Sequence, residues 1–338
     1  MKKNIILIFT IWLGACSPVY SGYSCLSPLN IPAINSDFQL LWSRTGIAIY
    51  PDRFNSLMQG VRSKVFIVTS KDFEYGGSKI LALDTQSGNV LWQRDAVLPA
   101  SIITSNTQLY TTLNDKIDIV DPQTGNLVRE IEIPNVGTIY NVFATEHNLY
   151  AFTKSGRHLI YNIDDGIYGL SEPFLAYYPI IIENGLMYFT EAGSYKAKEV
   201  QTQSILWEYS LNETVNVHPL FTDNVIVIST VMGRIYGLDK RTGNLLWNVD
   251  AHAISNVTAS KSKLYLLAGD GHLKVLDINN GQEIAKLEFS PASFESNSPS
   301  TSNIIGAYNV WVDSENDILL VSFGDSCQLS SFKLHISQ

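Results

Sequence analysis

Four aspartates, Asp84, Asp121, Asp239 and Asp277, are the residues whose type and spacing first suggest chemistry. Repeated carboxylates can hold Ca²⁺ through their oxygens. Their surroundings point elsewhere. Each ends an alternating apolar stretch, and each is followed four positions later by a glycine: Gly88, Gly125, Gly243 and Gly281. An Asp side chain accepts N–H bonds from the turn after it, and Gly adopts a positive φ without a Cβ clash. These acids are therefore expected to form turns rather than bind metal. The histidines suggest no metal site either. His147 and His158 stand eleven positions apart, which matches no zinc pattern. His218 precedes Pro219 at the start of an inner strand and could face a channel. Asp270-Gly271-His272 reads as a hairpin turn. No nucleophile elbow, phosphate loop or dinucleotide fingerprint is present. No catalytic, cofactor-binding or metal residue is assigned.

The three cysteines carry a different chemistry. Lys2 and Lys3 precede an apolar run, Ile5 to Ala15, of 11 residues. That is far short of the ~20 needed to span a bilayer as a helix. The run ends in Leu13-Gly14-Ala15-Cys16, which resembles the bacterial lipobox. Residues 1–15 are thus expected to be a lipoprotein signal peptide, Cys16 the lipidated first residue, and 16–37 a tether. An ordinary secretory signal is the alternative. The lipid would anchor an exported protein in the cell envelope, on the periplasmic side of the outer membrane if the host has one. Cys25 and Cys327 remain as an even pair. An oxidising compartment allows a disulfide between them, and two free thiols are the alternative. Asn212 and Asn256 open glycosylation sequons, which carry little meaning in a bacterial lipoprotein.

Charge excludes some partners. Removing residues 1–15 takes away two Lys and no acid, leaving 21 basic and 32 acidic residues and a net of −11. Nucleic-acid binding needs basic patches and is not expected. Anionic lipid would not attract this chain directly.

The elements that place these residues repeat. Ile80–Trp92, Ile117–Val128, Ile235–Trp247 and Leu273–Ile284 share a strand, an Asp, a short turn ending in Gly and a second strand. The Asp-type positions are Asp84, Asp121, Asn162, Glu199, Asp239 and Asp277, spaced 37, 41, 37, 40 and 38 residues apart. Asn162 keeps its glycine at Gly166. Glu199 has lost the glycine but keeps a Trp eight residues later, Trp207. Leu109-Tyr110, Leu149-Tyr150, Met187-Tyr188 and Leu264-Tyr265 recur in step with them. A period of roughly 40 residues made of short strands reads as propeller blades. The Trp on the outermost strand is expected to fill the wedge between neighbouring blades.

The two ends of the chain should supply one more blade. Three strand-like segments follow Asp277, at Ala307–Val312, Asp317–Phe323 and Gln328–Leu334, and no fourth. An orphan strand with its Trp stands at Phe38–Gly46. Pairing it with Gln328–Leu334 closes the ring and removes two exposed edges. The expected fold class is all-β: residues 38–338 as a seven-bladed β-propeller closed by an N-terminal strand in the last blade. The Phe66-to-Asp84 interval exceeds its equivalents by about six residues, an insertion that contains Phe73 and Tyr75. These, with Tyr177 and Tyr178, are candidate contact aromatics.

The Asp-x-x-Thr-Gly-x-x-x-Trp hairpins resemble the pyrroloquinoline-quinone (PQQ) repeat propellers, over about residues 38–335 and most closely at 80–92, 117–128 and 235–247. One branch of that family implies quinone-dependent dehydrogenases with PQQ and Ca²⁺. Another implies cofactor-free scaffolds, including the lipoprotein of the outer-membrane β-barrel assembly machinery. The enzymes often carry a disulfide between adjacent cysteines, and this chain has no adjacent pair. The expectation is a monomeric, lipid-anchored scaffold for an envelope protein partner, with no cofactor and no enzyme activity. A divergent PQQ-dependent dehydrogenase is the alternative, as is a sensor that binds a small ligand or polysaccharide in the channel.

Overall fold

The computed structural model describes residues 31, 36–47, 58–61, 63–69, 78–96, 102–104, 108–113, 115–133, 137–144, 147–153, 157–170, 181–215, 219–289, 308–323 and 327–336. These form seven four-stranded antiparallel sheets. The chain opens with β1 (Phe38–Arg44). Blade 1 is β2 (Met58–Val61), β3 (Lys64–Val68), β4 (Lys79–Asp84) and β5 (Val90–Asp95). Blade 2 is β6 (Ile102–Thr104), β7 (Leu109–Leu113), β8 (Lys116–Val120) and β9 (Leu127–Glu132). Blade 3 is β10 (Ile139–Ala144), β11 (Asn148–Thr153), β12 (His158–Asn162) and β13 (Tyr168–Leu170). Blade 4 is β14 (Ile181–Glu183), β15 (Leu186–Glu191), β16 (Ser194–Glu199) and β17 (Ile205–Ser210). Blade 5 is β18 (Leu220–Phe221), β19 (Val225–Ser229), β20 (Arg234–Asp239) and β21 (Leu245–Asp250). Blade 6 is β22 (Thr258–Ser260), β23 (Lys263–Leu267), β24 (His272–Asp277) and β25 (Glu283–Glu288). Blade 7 is β26 (Tyr308–Asp313), β27 (Ile318–Phe323), β28 (Gln328–Leu334) and β1.

Middle strands read as unbroken apolar runs because each sheet is covered on both faces. β19 shows this directly. Val225 and Val227 pack into the cluster shared with blade 6, while Ile226 and Ile228 pack into the one shared with blade 4. Period-two alternation thus serves two neighbours at once. Outer strands have one face against the next blade and an open edge, so they alternate exposed and covered residues.

The ring closes as expected from the orphan strand. β1 pairs antiparallel with β28, from Phe38 opposite Leu334 to Arg44 opposite Leu329. Phe38 is fully buried in the cluster that joins blades 6 and 7. Ile31 packs against the same cluster. The tether expected over 16–37 is therefore docked on the ring at that point. Strand bounds in blade 7 differ by a residue from the sequence reading, because Asp313 completes β26 and Asp317 sits in the following turn with φ 48°.

The insertion in blade 1 is visible in the register. Eleven residues separate the paired Val68 and Ile80, against five between Ser229 and Ile235 in blade 5. The insert's aromatics, Phe73 and Tyr75, lie outside the described residues. So do Cys16, Cys25, Tyr177, Tyr178, His218 and the signal segment.

Candidate functional site

Construction of this ring starts at the hairpins. Asp84 Oδ1 accepts from the backbone N–H of Ser87 at 2.7 Å and from its hydroxyl at 2.8 Å. Asp239 repeats this with Thr242 at the same two distances. The Thr242 hydroxyl, then its N–H, hold the Asp239 carboxyl below the usual aspartate range. Asp121 and Asp277 each accept from the N–H two residues on, at 2.7 Å. Asn162 substitutes its amide oxygen for the same purpose. The repeat acids are thus bonded to their own turns, as their periodicity implied. Among the described residues no group of three His, Cys, Asp or Glu side chains converges on a metal-sized site. His147 faces Asp164, His252 faces Asp250, His272 faces Asp270 and His335 faces Gln39.

The hairpin glycine has a second task. Each Trp of an outer strand lies over the turn glycine of the following blade. A Cβ on Gly88 would stand 2.6 Å from the Trp42 ring, on Gly125 2.7 Å from Trp92, on Gly243 2.4 Å from Trp207 and on Gly281 2.6 Å from Trp247. The indole N–H of Trp42 donates to Thr85 O, that of Trp92 to Pro122 O and that of Trp247 to Ile278 O. Positive φ alone does not demand glycine here, since Gln203 holds φ 62° at the same turn position in blade 4. Blade 3, which precedes it, has Leu170 where a Trp would stand. In blade 4 the glycine is lost where the ring above it is lost. Arg129 takes the Trp position in blade 2, lies against Gly166 and sits over the Tyr161 ring at 5.8 Å.

Two polar seams interrupt the apolar ones. Between blades 1 and 2, Arg94 donates to Asp118, which is only 3% exposed. Among the described residues the second carboxylate oxygen of Asp118, which is buried, has no hydrogen-bond partner. Burial, outweighing Arg94, holds this carboxyl above the usual aspartate range. The folded chain then binds a proton more readily than the unfolded one, so the contribution of this site falls as pH rises through the acid range. Replacing Arg94 with Ala strands the charge and is expected to cost about 3 kcal/mol at pH 7, and less at pH 5. Asp118→Asn should lie within about 1 kcal/mol of the parent. Urea unfolding at both pH values checks this; equal losses for Arg94→Ala at the two pH values would refute it.

At the closing seam, Thr85 Oγ1 donates to buried Asp313, as does Asn316 Nδ2, which also reaches Ser63. Asn256, read from sequence only as a sequon, clamps the backbone of Val310 through both amide atoms, at 2.8 and 2.9 Å. It ties blade 6 to blade 7. Cys327 is buried and disulfide-bonded, and its carbonyl accepts from Ile47 N–H at the end of the closing strand.

One recurrent residue escaped the sequence reading. Thr112, Thr153, Thr190 and Thr230 all stand nine residues before the Asp-type position, and Thr69 stands fifteen before it because of the insertion. Thr69, Thr153 and Thr230 bridge N–H and C=O of the facing strand through their hydroxyls. The period was there to be found, but a lone Thr at the end of an apolar strand has no distinctive type.

The outer rim is the surface these devices leave open. In six blades the outer strand carries a β-bulge one residue before the Trp-type position. The extra residues are Leu41, Leu91, Val128, Leu206, Leu246 and Ile284, and all are exposed. A bulge bends an edge strand and blunts it against further pairing. The result is a belt of aliphatic side chains around the disc.

Comparison with known proteins agrees with this architecture. A BamB of Moraxella catarrhalis superposes with a TM-score of 0.52 at 14% identity, covering 88% of this chain and 100% of that one. A chain of the Mitotic Checkpoint Complex superposes with a TM-score of 0.63 at 12% identity, covering 99% of both. At such identities these show the fold alone. An uncharacterised protein of Rickettsia conorii is 21% identical over 62% of this chain and 61% of its own length. A quinohemoprotein alcohol dehydrogenase of Comamonas testosteroni is 28% identical over 26% of this chain and 14% of its own length. An outer membrane protein assembly factor BamB of Francisella salina is 27% identical over 21% and 13% respectively. The chain thus matches less than two thirds of the length of each of these relatives. Residues 39–200 and 180–325 match the PQQ-repeat family described as outer membrane protein assembly factor BamB, and the chain belongs to that family.

Proposed function

We propose that this chain is a lipid-anchored scaffold of the cell envelope that binds protein partners through its rim during assembly of outer-membrane proteins, without a quinone cofactor and without enzymatic turnover. The belt of exposed aliphatic residues on a rigid ring is the observation that carries the reading. Rigid edges with apolar side chains suit protein recognition, since little ordering entropy is lost on binding. The repeat carboxylates are bonded to turns, which supports a role in folding rather than in holding Ca²⁺. The lipid on Cys16 would hold the ring, as a monomer, at the periplasmic side of the outer membrane, and Cys25 would be the disulfide partner of Cys327.

Titration of the purified mature chain with PQQ and Ca²⁺ tests the cofactor part. No saturable change in absorbance and no dye reduction with alcohols or sugars is expected. The short match to a quinohemoprotein dehydrogenase makes this the second reading, and turnover would establish it in place of the first. Replacing Cys16 with Ser tests the anchor. The variant should leave the membrane fraction or remain unprocessed, and an intact mass that starts elsewhere without acyl groups would refute lipidation.

A further inference from the structure

One outer edge breaks the rule of the rim. In blade 3 the pairing runs Tyr161–Tyr168, Ile160–Gly169 and Leu159–Leu170 with no register shift. Gly169 stands where the other six blades carry the aliphatic bulge residue. Without the bulge, this is the one described outer strand whose regular pairing passes straight through that position, and among the described residues β13 pairs with β12 alone. Asn162 N–H donates to Ile167 O at 2.8 Å. Bonded and non-bonded pairs alternate along an antiparallel ladder, so Gly169 directs its N–H and C=O at Ile160. Tyr168 and Leu170 turn theirs outward. Ile167 and Tyr168 are 68% and 42% exposed. Asp164 and Asp165 stand exposed at the start of this strand; Asp164 faces His147, and the Arg129 guanidinium lies against the adjacent Gly166.

We propose that β13 is an acceptor edge, at which an extended β-strand of an envelope protein partner, aliphatic at alternate positions and ending in Lys or Arg, adds to blade 3. This rests on the scaffold reading and names its site. Main-chain bonds to Tyr168 and Leu170 would supply affinity, and the apolar side chains of the rim would supply alternate contacts. The cationic end follows from charge: two exposed aspartates outweigh the one guanidinium beside them, Arg129, in a chain of formal net charge −9. Blunted edges elsewhere keep the addition to one blade.

The test uses the full mature chain and a synthetic strand peptide of alternating Val and Thr with Lys at both ends. Amide hydrogen exchange should show Tyr168 and Leu170 unprotected in the free chain and slowed by the peptide. The Lys-ended peptide should bind about tenfold more tightly than a Glu-ended one. Leu170→Pro removes an outward N–H from an edge strand without touching the ladder to β12. It should weaken binding about tenfold, whereas Leu170→Ala, which loses the same packing against the blade 3 core but keeps the N–H, should bind as the parent does. Protection at these amides before peptide is added, protection confined to another blade, or equal binding of both peptides would overturn the proposal. A self-associated chain that Leu170→Pro dissociates would assign the edge to a second copy and also overturn it. Should Leu170→Pro fail to fold, the exchange experiment on the parent chain decides. Partners crosslinked at other parts of the rim, with no strand binding at β13, would sink this site and leave the scaffold reading standing.

Discussion

A chain lacking residues 38–46 is expected to lose cooperative folding or to aggregate, with a loss exceeding ~5 kcal/mol. β1 performs three jobs at once. It covers the edge of β28 from Leu329 to Leu334, it buries Phe38 between blades 6 and 7, and it sends Trp42 across to blade 1. There the indole donates to Thr85 O at 2.9 Å, and Arg44 Nη1 donates to Gly88 O at 2.7 Å. Burying a large side chain contributes about 1.5–3 kcal/mol, and the burial of Phe38, Leu40 and Trp42 is lost in one step, uncovering the residues they pack against. The uncovered edge of β28 would also be open to other chains. Urea unfolding followed by fluorescence, with sedimentation to detect aggregates, checks this. A monomeric truncation that unfolds in one transition at the parental midpoint would refute the closure. Adding the missing segment as a separate peptide should restore part of the stability, because the gap it fills is a defined strand.

Gly243→Ala is expected to destabilise by about 3 kcal/mol, and Gly193→Ala by about 1 kcal/mol. Both glycines have positive φ, 72° and 79°. Backbone strain is therefore similar in the two variants. Space is not: a Cβ on Gly243 meets the Trp207 ring at 2.4 Å, while one on Gly193 meets nothing within 4 Å. The difference measures the interblade contact itself. In a Trp207→Ala background the added cost of Gly243→Ala should shrink toward that of Gly193→Ala, giving a coupling energy of about 2 kcal/mol in a double-mutant cycle. Equal costs for the two alanines, or strict additivity with Trp207→Ala, would show that the glycine is retained for its φ alone.

Blade number, hairpin positions and ring closure were legible in the amino-acid sequence. These depend on local chemistry repeated at one period: an Asp that bonds its own turn, a Gly four residues later, and apolar strands buried on both faces. Asp84 and Asp239 need only the next three residues to make their bonds. Closure was legible because Phe38–Gly46 and Gln328–Leu334 each lacked a neighbour in their own part of the chain.

What lies between blades could be decided only by tertiary structure. Asp118 looks like any strand acid until Arg94, two dozen residues away, is placed beside it. Asn256 looks like a sequon until Val310 stands opposite. The turn glycines read as φ requirements, and only the assembled ring shows that a Trp of the preceding blade occupies the missing Cβ. The contrast between Gly169 and the six bulge residues has the same origin. A bulge is a mismatch in count between two paired strands, so one strand read alone contains no sign of it. Contacts distant along the chain depend on where the backbone ladders register, and that register belongs to the closed ring as a whole.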